Sequence, residues 1–368
     1  MHKKPALFGR LKQTNSALQC GCEIASHSFA VCIEASQHSL HTVFLLVRIP
    51  MAIFFSGRRF GATMLLFVLC SSLFHSSAEF AEAQEPKKTI LCSTTQVADF
   101  ARQVVGDRCI VKCVLSAGED PHTYVPGAND LKDCATADLC LRNGWNLEGN
   151  SWMKRIATEN GKKIVTCIEG VKPREFEEHG EEGSSGTIKD PHAWLTPANA
   201  LIYVNNIRDA VCELEPEYAE EFRMRADMYR LQLLALDRWV KQNLSRVKKN
   251  RRVLVTHHDA FGYFCDAYGF VSESPVGWTT GELTELSLED RQTLVKSIRE
   301  RGVPSIFVET STNDDLLTGI AKDAGIRIGE ALYSDAMGPE DSAAETYIGM
   351  MRENVLRIVS GLTDASDK

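Results

Sequence analysis

The sequence lacks a surplus of basic residues: it has 41 Lys and Arg against 49 Asp and Glu, a formal net charge of −8. Proteins that grip the phosphates of nucleic acid need an excess of Lys and Arg, so this balance argues against a nucleic-acid binder. The sequence also contains no CxxC pair and no HExxH motif, which excludes the short-spaced zinc clips and the usual zinc-peptidase site. With 44% hydrophobic residues, the 368-residue chain has a globular composition and a length typical of two domains.

The apolar run at residues 62–74 is too short to cross a bilayer as a helix, which takes about 20 residues. The apolar stretch at residues 62–74 instead follows Arg58 and Arg59 and precedes the small-residue sequence Ala81-Glu82-Ala83. A positive start, a short apolar centre and an Ala-x-Ala site are typical of a cleaved secretory signal. The sequence therefore predicts export, to the periplasm or the outer face of the cytoplasmic membrane.

A signal peptide should begin the chain, yet residues 1–50 precede this one and show no clear periodic element. We therefore predict that translation starts at Met51 or Met64, and that residues 1–83 are an N-terminal extension and signal peptide. Cys70 resembles the cysteine of a lipoprotein signal. A large Leu precedes it where such signals have a small residue, so simple cleavage is favoured over lipid anchoring.

Cysteines beyond residue 83 form no compact framework. Their even number permits disulfides in an exported protein, but the spacings are wide and several lie in apolar, strand-like runs. Cysteine in such runs behaves as a small buried hydrophobe, so we assign none to metal. The residues concerned are Cys92, Cys109, Cys113, Cys134, Cys140, Cys167, Cys212 and Cys265.

Apolar runs of strand length alternate with segments of helical periodicity, which predicts an α/β fold with parallel sheets covered by helices. The segments TILCSTTQVADFARQVVGD and RVLVTHHDAFGYFCDAYG both read as strand, loop and helix, which indicates two like-folded lobes. Strands are predicted at residues 89–95, 109–115, 138–142, 163–168, 252–256, 270–273 and 305–309. Helices are predicted at residues 97–107, 131–137 and 288–301.

Residues 218–247 form one long amphipathic segment without Gly or Pro, which predicts a helix of roughly 45 Å. It is too short for a convincing coiled coil, so we interpret it as a connecting or packing helix. The predicted domains are an N-terminal lobe at 84–215, a connecting helix at 216–250 and a C-terminal lobe at 251–368. The apolar positions are Phe222, Met224, Met228, Leu231, Leu233, Leu234, Leu236, Trp239, Val240 and Leu244.

Residues 175–189 (EFEEHGEEGSSGTIK) are acidic and rich in Gly and Ser, which predicts an exposed, mobile loop. His179 lies among its glutamates. A solvated charge run is favoured over a role in capturing cations.

Four segments carry His or Asp where a strand is expected to end: GEDPHTY with His122, DPHAWL with His192, VTHHDAFGY with His257 and His258, and LYSDAMG with Asp335. Ligands of parallel α/β sheets bind beyond the carboxyl ends of the strands, where these segments would lie. Three imidazoles and a carboxylate suit Zn²⁺, and Mn²⁺ or Fe²⁺ nearly as well. The segments are roughly 70 residues apart, two in each half, which places the ion between the lobes.

Taken in order, GEDPHTYVPGANDL, DPHAWLTP, LVTHHDAFGYF, FVETS and LYSDAMG resemble the metal-binding periplasmic solute-binding proteins, the zinc/manganese receptors of ABC importers (cluster A-I type). The resemblance covers most of residues 89–362. It implies two Rossmann-like lobes joined by one long rigid helix, with one divalent ion, Zn²⁺, Mn²⁺ or Fe²⁺, in the cleft. It further implies a monomer that delivers the ion to a membrane permease with its ATPase, and no catalysis.

Carried over by motif, the resemblance implies that the metal ligands are His122, His192, His258 and Asp335. The family pattern aligns with the second His of THHDAFGYF, not with His257. Adjacent residues of an extended segment point in opposite directions, so one of the two is expected to face the ion.

The resemblance leaves the metal open. Manganese-selective members tend to carry Glu at the position of His258, whereas zinc-dedicated members often have three His and a long His-rich loop before the second ligand. This sequence has the third His but only His179 in that loop, a pattern similar to members that bind both metals.

Residues flanking these motifs have simpler interpretations. Asp190 and Trp194 are expected to form a turn and to pack, and Asp259 to cap the following helix. Glu309, in FVETS, is expected at a strand end from which it could reach the cleft, but it is not counted among the ligands.

Two other classes remain open from the residues. An exported metallohydrolase would use the same residues with a metal-activated water, although no zinc-and-base motif accompanies them and four protein ligands leave no open position. A metal-dependent surface adhesin is the other. Hydrolysis that needs His258 would favour the enzyme, and a linked permease and ATPase would favour transport.

Overall fold

The computed structural model describes residues 86–179, 185–277, 280 and 286–363. The predicted signal, the candidate start sites and Cys70 lie outside these residues. The compact unit that contains the described residues runs from residue 81 to residue 368. The predicted domain boundaries within it stay predictions.

The first sheet has four parallel strands in the order β2-β1-β3-β4, as the alternating pattern predicts. Its central strands are buried because they are almost wholly apolar and carry helices on both faces. Cys92 at the end of β1 pairs with Cys113 on one side and Leu141 on the other. The strands are β1 (Thr89–Cys92), β2 (Ile110–Cys113), β3 (Leu139–Arg142) and β4 (Ile164–Thr166).

The second half repeats this arrangement. Strands β7 and β8 pair in parallel, as do β9 and β10, and the Phe307 amide donates to the Val255 carbonyl (2.9 Å), which joins the two pairs. The resulting order β8-β7-β9-β10 matches that of the first sheet, so the two halves are alike in topology, as the internal similarity predicts. The strands are β7 (Val253–Val255), β8 (Val271–Glu273), β9 (Ser305–Ile306) and β10 (Arg327–Ile328).

Nine α-helices lie in the described residues, and the longest is the predicted connecting helix. It has 26 residues, which corresponds to about 39 Å, and it begins after a 3₁₀ turn at Pro216–Tyr218. The helices are α1 (Thr95–Val105), α2 (Ala128–Thr136), α3 (Trp152–Glu159), α4 (Pro197–Leu214), α5 (Ala219–Leu244), α6 (Gly262–Tyr268), α7 (Leu288–Glu300), α8 (Asp315–Ala324) and α9 (Tyr347–Leu362).

The buried face of α5 differs from the predicted one. Met224, Met228 and Leu231 are more than half exposed, and Ala226 and Tyr229 take their place against α1, α4 and α9. An aromatic cluster explains the exchange, because the rings of Phe100 and Tyr229 approach to 6.4 Å at the centre of this contact. The buried residues of α5 are Ala219, Phe222, Ala226, Tyr229, Leu233, Leu236, Val240 and Leu244.

One hydrophobic core runs through both halves. It contains Phe100 from α1 and Phe264 from α6, and it includes the apolar face of α9, which returns to pack on α1 and α5. The Tyr347 ring meets Phe100 edge to face at 4.8 Å, and the Asp99 carboxylate accepts from the Tyr347 amide (3.0 Å). The last helix of the second half is therefore anchored on the first half.

Residues 175–189 are not simply a loop, contrary to the prediction. They contain an antiparallel hairpin of β5 (Glu175–His179) and β6 (Ser185–Lys189), with five residue pairs in register. The hairpin leads directly to Asp190 and the second histidine segment.

The cysteines beyond residue 83 are thiols, six of them buried, in keeping with the sequence interpretation. Cys134 and Cys140 have sulfurs 3.9 Å apart. In the part of the chain that the structure describes, no helix is both long and apolar enough to cross a membrane.

Candidate metal centre

The four predicted ligands meet at one point. His122 lies in the loop after β2, His192 immediately precedes the 3₁₀ turn Ala193–Leu195, His258 follows β7, and Asp335 lies between β10 and α9. All four side chains are buried, and each offers one ligand atom within 4.8 Å of the others. His192 departs from the expectation in one respect, since it follows the hairpin and not a strand of the parallel sheet.

The spacing of the donor atoms defines a cage. His192 Nε2 is 3.2 Å from His122 Nε2 and 3.3 Å from His258 Nε2. Asp335 Oδ1 is 3.8 Å from His122 Nε2 and 3.4 Å from His192 Nε2, and its Oδ2 is 3.3 Å from His258 Nε2. A tetrahedral ion with bonds of about 2.0–2.1 Å has donor–donor edges of about 3.3–3.4 Å. The cage therefore has the size of a four-coordinate transition-metal site.

Carboxylates behind two of the rings set the direction of the histidine donors. His192 Nδ1 lies 2.9 Å from Asp190 Oδ1, which also accepts from the His192 amide (3.0 Å). His258 Nδ1 lies 2.8 Å from Glu309 Oε2, while Glu309 Oε1 accepts from the His258 amide (3.0 Å). A proton on Nδ1 in each ring leaves the Nε2 lone pair directed into the cage.

These groups need a cation between them. The Nε2 atoms of His192 and His258 would otherwise present lone pairs to each other across 3.3 Å. Asp335 Oδ1 is buried and has no hydrogen-bond partner among the described residues, and a buried anionic oxygen in that state is costly. A divalent ion at the centre satisfies all of them at once.

Burial and the close spacing of charged groups shift the pKa values of all four candidate ligands. Burial lowers the pKa of His122 to about 3, so its imidazole is neutral and able to bind an ion at neutral pH. Burial also opposes protonation of His192 and His258, but the adjoining carboxylates outweigh it and raise the pKa of both. For Asp335, burial is outweighed by His258 and the other two rings, which lower its pKa well below the usual value.

Close packing holds the His122 loop in place. Asp120 Oδ1 accepts from the His122 amide (2.8 Å), and the Trp152 indole donates to the Pro121 carbonyl (3.0 Å). Gly149 lies against the backbone of His122, and a Cβ at that position would overlap the His122 carbonyl oxygen. Glycine is therefore required at 149 for the loop to approach so closely.

Hydrogen bonds between side chains of the first half and the backbone on either side of Asp335 position this residue. The Trp194 indole (3.2 Å) and the side-chain amide of Gln96 (3.3 Å) both donate to the backbone carbonyl of Ser334. The Met337 amide donates to the Thr95 hydroxyl (2.9 Å), so the start of α1 holds the loop on either side of Asp335. Trp194 thus packs, as predicted, and also orients a neighbouring loop.

His257 and Asp259, which the sequence analysis also considered, lie outside the cage. His257 is buried but lies outside the cage, in line with the alternation of the extended segment. Asp259 does not cap α6: the N-cap is Phe261, and Asp259 lies within a preceding 3₁₀ turn where it accepts from the Ser272 hydroxyl (2.7 Å). The 3₁₀ turn separates Asp259 from the helix that it was expected to cap.

Two carboxylates behind the rings were not identified as functional. Glu309 faces His258 from behind, outside the four-residue cage, and Asp190 forms the expected turn while also contacting the His192 ring. The short separation in DPH was an available signal for Asp190, because a carboxylate two residues before a histidine can reach its Nδ1. Nothing in FVETS pairs Glu309 with a residue 51 positions away.

The fold and the cage define a two-lobed solute receptor for a metal ion. The family described as zinc-uptake complex component A, periplasmic (ZnuA) matches residues 90–361, and the chain belongs to this family.

Individual relatives are similar over most of their length. The manganese-binding lipoprotein MntA of Halalkalibacterium halodurans is 33% identical over 276 residues, 74% of this chain and 88% of the relative. The iron-binding protein YfeA of Yersinia pestis is 31% identical over 308 residues, 82% and 96% of the two chains. Among solved structures, the periplasmic zinc-binding protein TroA of Treponema pallidum superposes with a TM-score of 0.68 at 31% identity, covering 76% of this chain and all of TroA.

These similarities confirm the predicted class. The protein is the substrate-binding component of a metal ABC importer that works outside the cytoplasm, and it is not an enzyme. The metallohydrolase and adhesin alternatives receive no support.

Proposed function

We propose that the protein captures one divalent first-row transition-metal ion with His122, His192, His258 and Asp335. The observation that carries this proposal is the cage itself: four buried residues whose donor atoms lie within 4.8 Å of one another, with one carboxylate oxygen that has no hydrogen-bond partner among the described residues. Three neutral imidazoles and one carboxylate give the ion a net charge of +1 in the site.

We further propose that the site accepts more than one metal. Asp335 Oδ1 lies near His122 and His192 while Oδ2 lies near His258, so both oxygens face the imidazoles. One oxygen completes the tetrahedron that suits Zn²⁺, and both together give the higher coordination number that suits Mn²⁺ and Fe²⁺. The names of the relatives, which mention zinc, manganese and iron, are in line with this tolerance.

The partner that we propose is a permease of the cytoplasmic membrane with its ATPase, to which the receptor delivers the ion from the periplasm or from the outer face of that membrane. All four proposed ligands come from one chain, so the site is complete without a second copy and we propose a monomer. The acidic charge balance gives no support to nucleic acid as a partner.

Metal analysis and titration of the purified protein test the proposal. We expect one equivalent of Zn²⁺ or Mn²⁺ per chain, and loss of tight binding in His258→Ala. His257→Ala is the matched control, because it removes the adjacent imidazole without touching the cage, and it should keep one equivalent. Absence of tight divalent binding, or equal binding by both variants, would refute the assigned site.

A further inference from the structure

Arg174 occupies a junction behind the cage. It lies immediately before β5 and its guanidinium is largely buried, with a side-chain exposure of 19%. Its Nη1 lies 2.5 Å from Asp190 Oδ2, the second oxygen of the carboxylate that contacts the His192 ring through Oδ1. Arg174, Asp190 and His192 therefore form a continuous chain of polar contacts that ends at the cage.

The same arginine is held by the second half of the protein. Its Nε donates to Asp266 Oδ2 (2.9 Å), its Nη1 lies 3.8 Å from Asp259 Oδ2, and its backbone amide donates to the Tyr263 hydroxyl (2.8 Å). The Tyr263 hydroxyl in turn donates to the Asp190 carbonyl (3.3 Å). Asp259 directly follows His258 in the chain, and Asp190 contacts the His192 ring. The Arg174 side chain therefore contacts one residue next to a proposed ligand in each half.

Glycine at position 262 makes room for this contact. A Cβ at the first residue of α6 would overlap the Arg174 guanidinium, although the backbone there is ordinary helix. The close approach of the guanidinium therefore leaves no room for a side chain at position 262.

We propose that Arg174 is a positioning residue that fixes Asp190, and through it the His192 ring, against the second half of the protein and thereby slows release of the bound ion. The inference rests on the proposed function of the cage. The guanidinium offers the planar, forked donors that hold a carboxylate in one orientation, which a point charge does less well. Fixing both halves behind the cage keeps the donors of His192 and His258 at their short spacing.

The test is the rate of metal release from the full protein. Protein loaded with Co²⁺ is mixed with excess chelator, and the loss of the visible absorption bands is followed with time. We expect release to be about tenfold faster in Arg174→Gln, at the lower end of the affinity losses typical when a group that orients a ligating histidine is removed. Arg174→Lys should be intermediate, because it keeps the charge without the fork. Gly262→Ala should resemble Arg174→Gln, because it displaces the guanidinium without removing it.

Two control variants match these changes on the outer surface. Arg208→Gln removes an arginine that pairs with its neighbour Asp209, and Gly319→Ala in α8 places a Cβ against the Arg291 side chain of α7. Both should release Co²⁺ at the wild-type rate. If Arg174→Gln does not fold, Gly262→Ala still provides the comparison.

The Co²⁺ absorption spectrum separates positioning from simple stability. A shifted His192 donor changes the bands, whereas a lower melting temperature with unchanged bands and an unchanged release rate would overturn the inference. Wild-type protein that binds no Co²⁺, Zn²⁺ or Mn²⁺ would instead refute the proposed function, so the two failures are distinguishable.

Discussion

Glu309 Oε2 lies 2.8 Å from Nδ1 of His258, the ring nitrogen that does not face Asp335, and both side chains are fully buried. Oε1 of the same carboxylate accepts from the His258 amide (3.0 Å), which holds Glu309 against the ring. The carboxylate makes Nε2 a stronger donor by drawing the remaining proton toward itself. We therefore expect the affinity for metal to depend on Glu309, which lies outside the cage.

Glu309→Gln tests this dependence. We expect Zn²⁺ affinity to fall between about tenfold and about 100-fold, because a neutral amide polarises the ring less and can present its NH₂ group to Nδ1. Competition with a fluorescent zinc chelator measures the change. Glu340→Gln, a change of an exposed glutamate, should leave the affinity unaltered.

Gly149→Ala tests the support of the His122 loop. The added methyl group must push the His122 carbonyl away, because the two would overlap. We expect metal affinity to fall at least about tenfold and the free energy of unfolding to drop by about 1–3 kcal/mol, as in other overpacked sites. Metal titration and urea unfolding measure the two effects. Unchanged affinity together with lower stability would show that the loop relaxes without moving the ligand.

The four candidate ligands could be selected from the sequence because each stands in its own short motif. These motifs have side chains whose metal-binding chemistry can be recognised without a structure. The structure brings all four residues together: His122, His192, His258 and Asp335. The first sheet was predicted with similar success, since its strands are apolar runs bounded by turns. Local pattern suffices where one segment carries the whole signal.

Pairings between distant segments were not predictable. Met224 and Met228 of α5 were predicted to be buried because they are apolar, but they are exposed. Tyr229 is buried because the ring of Phe100 from α1 packs against it. Glu309 meets His258 across 51 residues for a similar reason. These contacts form when distant segments pack together, so they cannot be predicted from any single segment.

Metal binding should release protons. Carboxylates raise the pKa of His192 and His258 above the usual imidazole value, so protons compete with the ion for these nitrogens, whereas burial lowers the pKa of His122 to about 3. We expect protons to be released when the ion binds, and an affinity that falls as pH is lowered because protons compete for the same nitrogens. Calorimetry in buffers of different ionisation enthalpy counts the protons.

The Glu309→Gln variant provides the internal check on that count. Without the carboxylate, His258 loses a main cause of its raised pKa, so fewer protons should be released per ion. An equal count in the variant and the wild type would show that His258 is already neutral before the ion binds.

Asp335 should govern the choice between metals. It supplies the only oxygen donor among the four proposed ligands, and both of its oxygens face the imidazoles. Mn²⁺ depends more on carboxylate oxygen than Zn²⁺, which binds imidazole well. In Asp335→Asn, which removes the charge and the chelating second oxygen, we expect both affinities to fall and the Zn²⁺ to Mn²⁺ affinity ratio to rise about tenfold, or about 1.4 kcal/mol. Competitive titration with the two ions measures the ratio, with the exposed Asp341→Asn as control. A ratio that stays constant in Asp335→Asn would mean that the imidazoles alone set the preference, and that the carboxylate contributes only its charge.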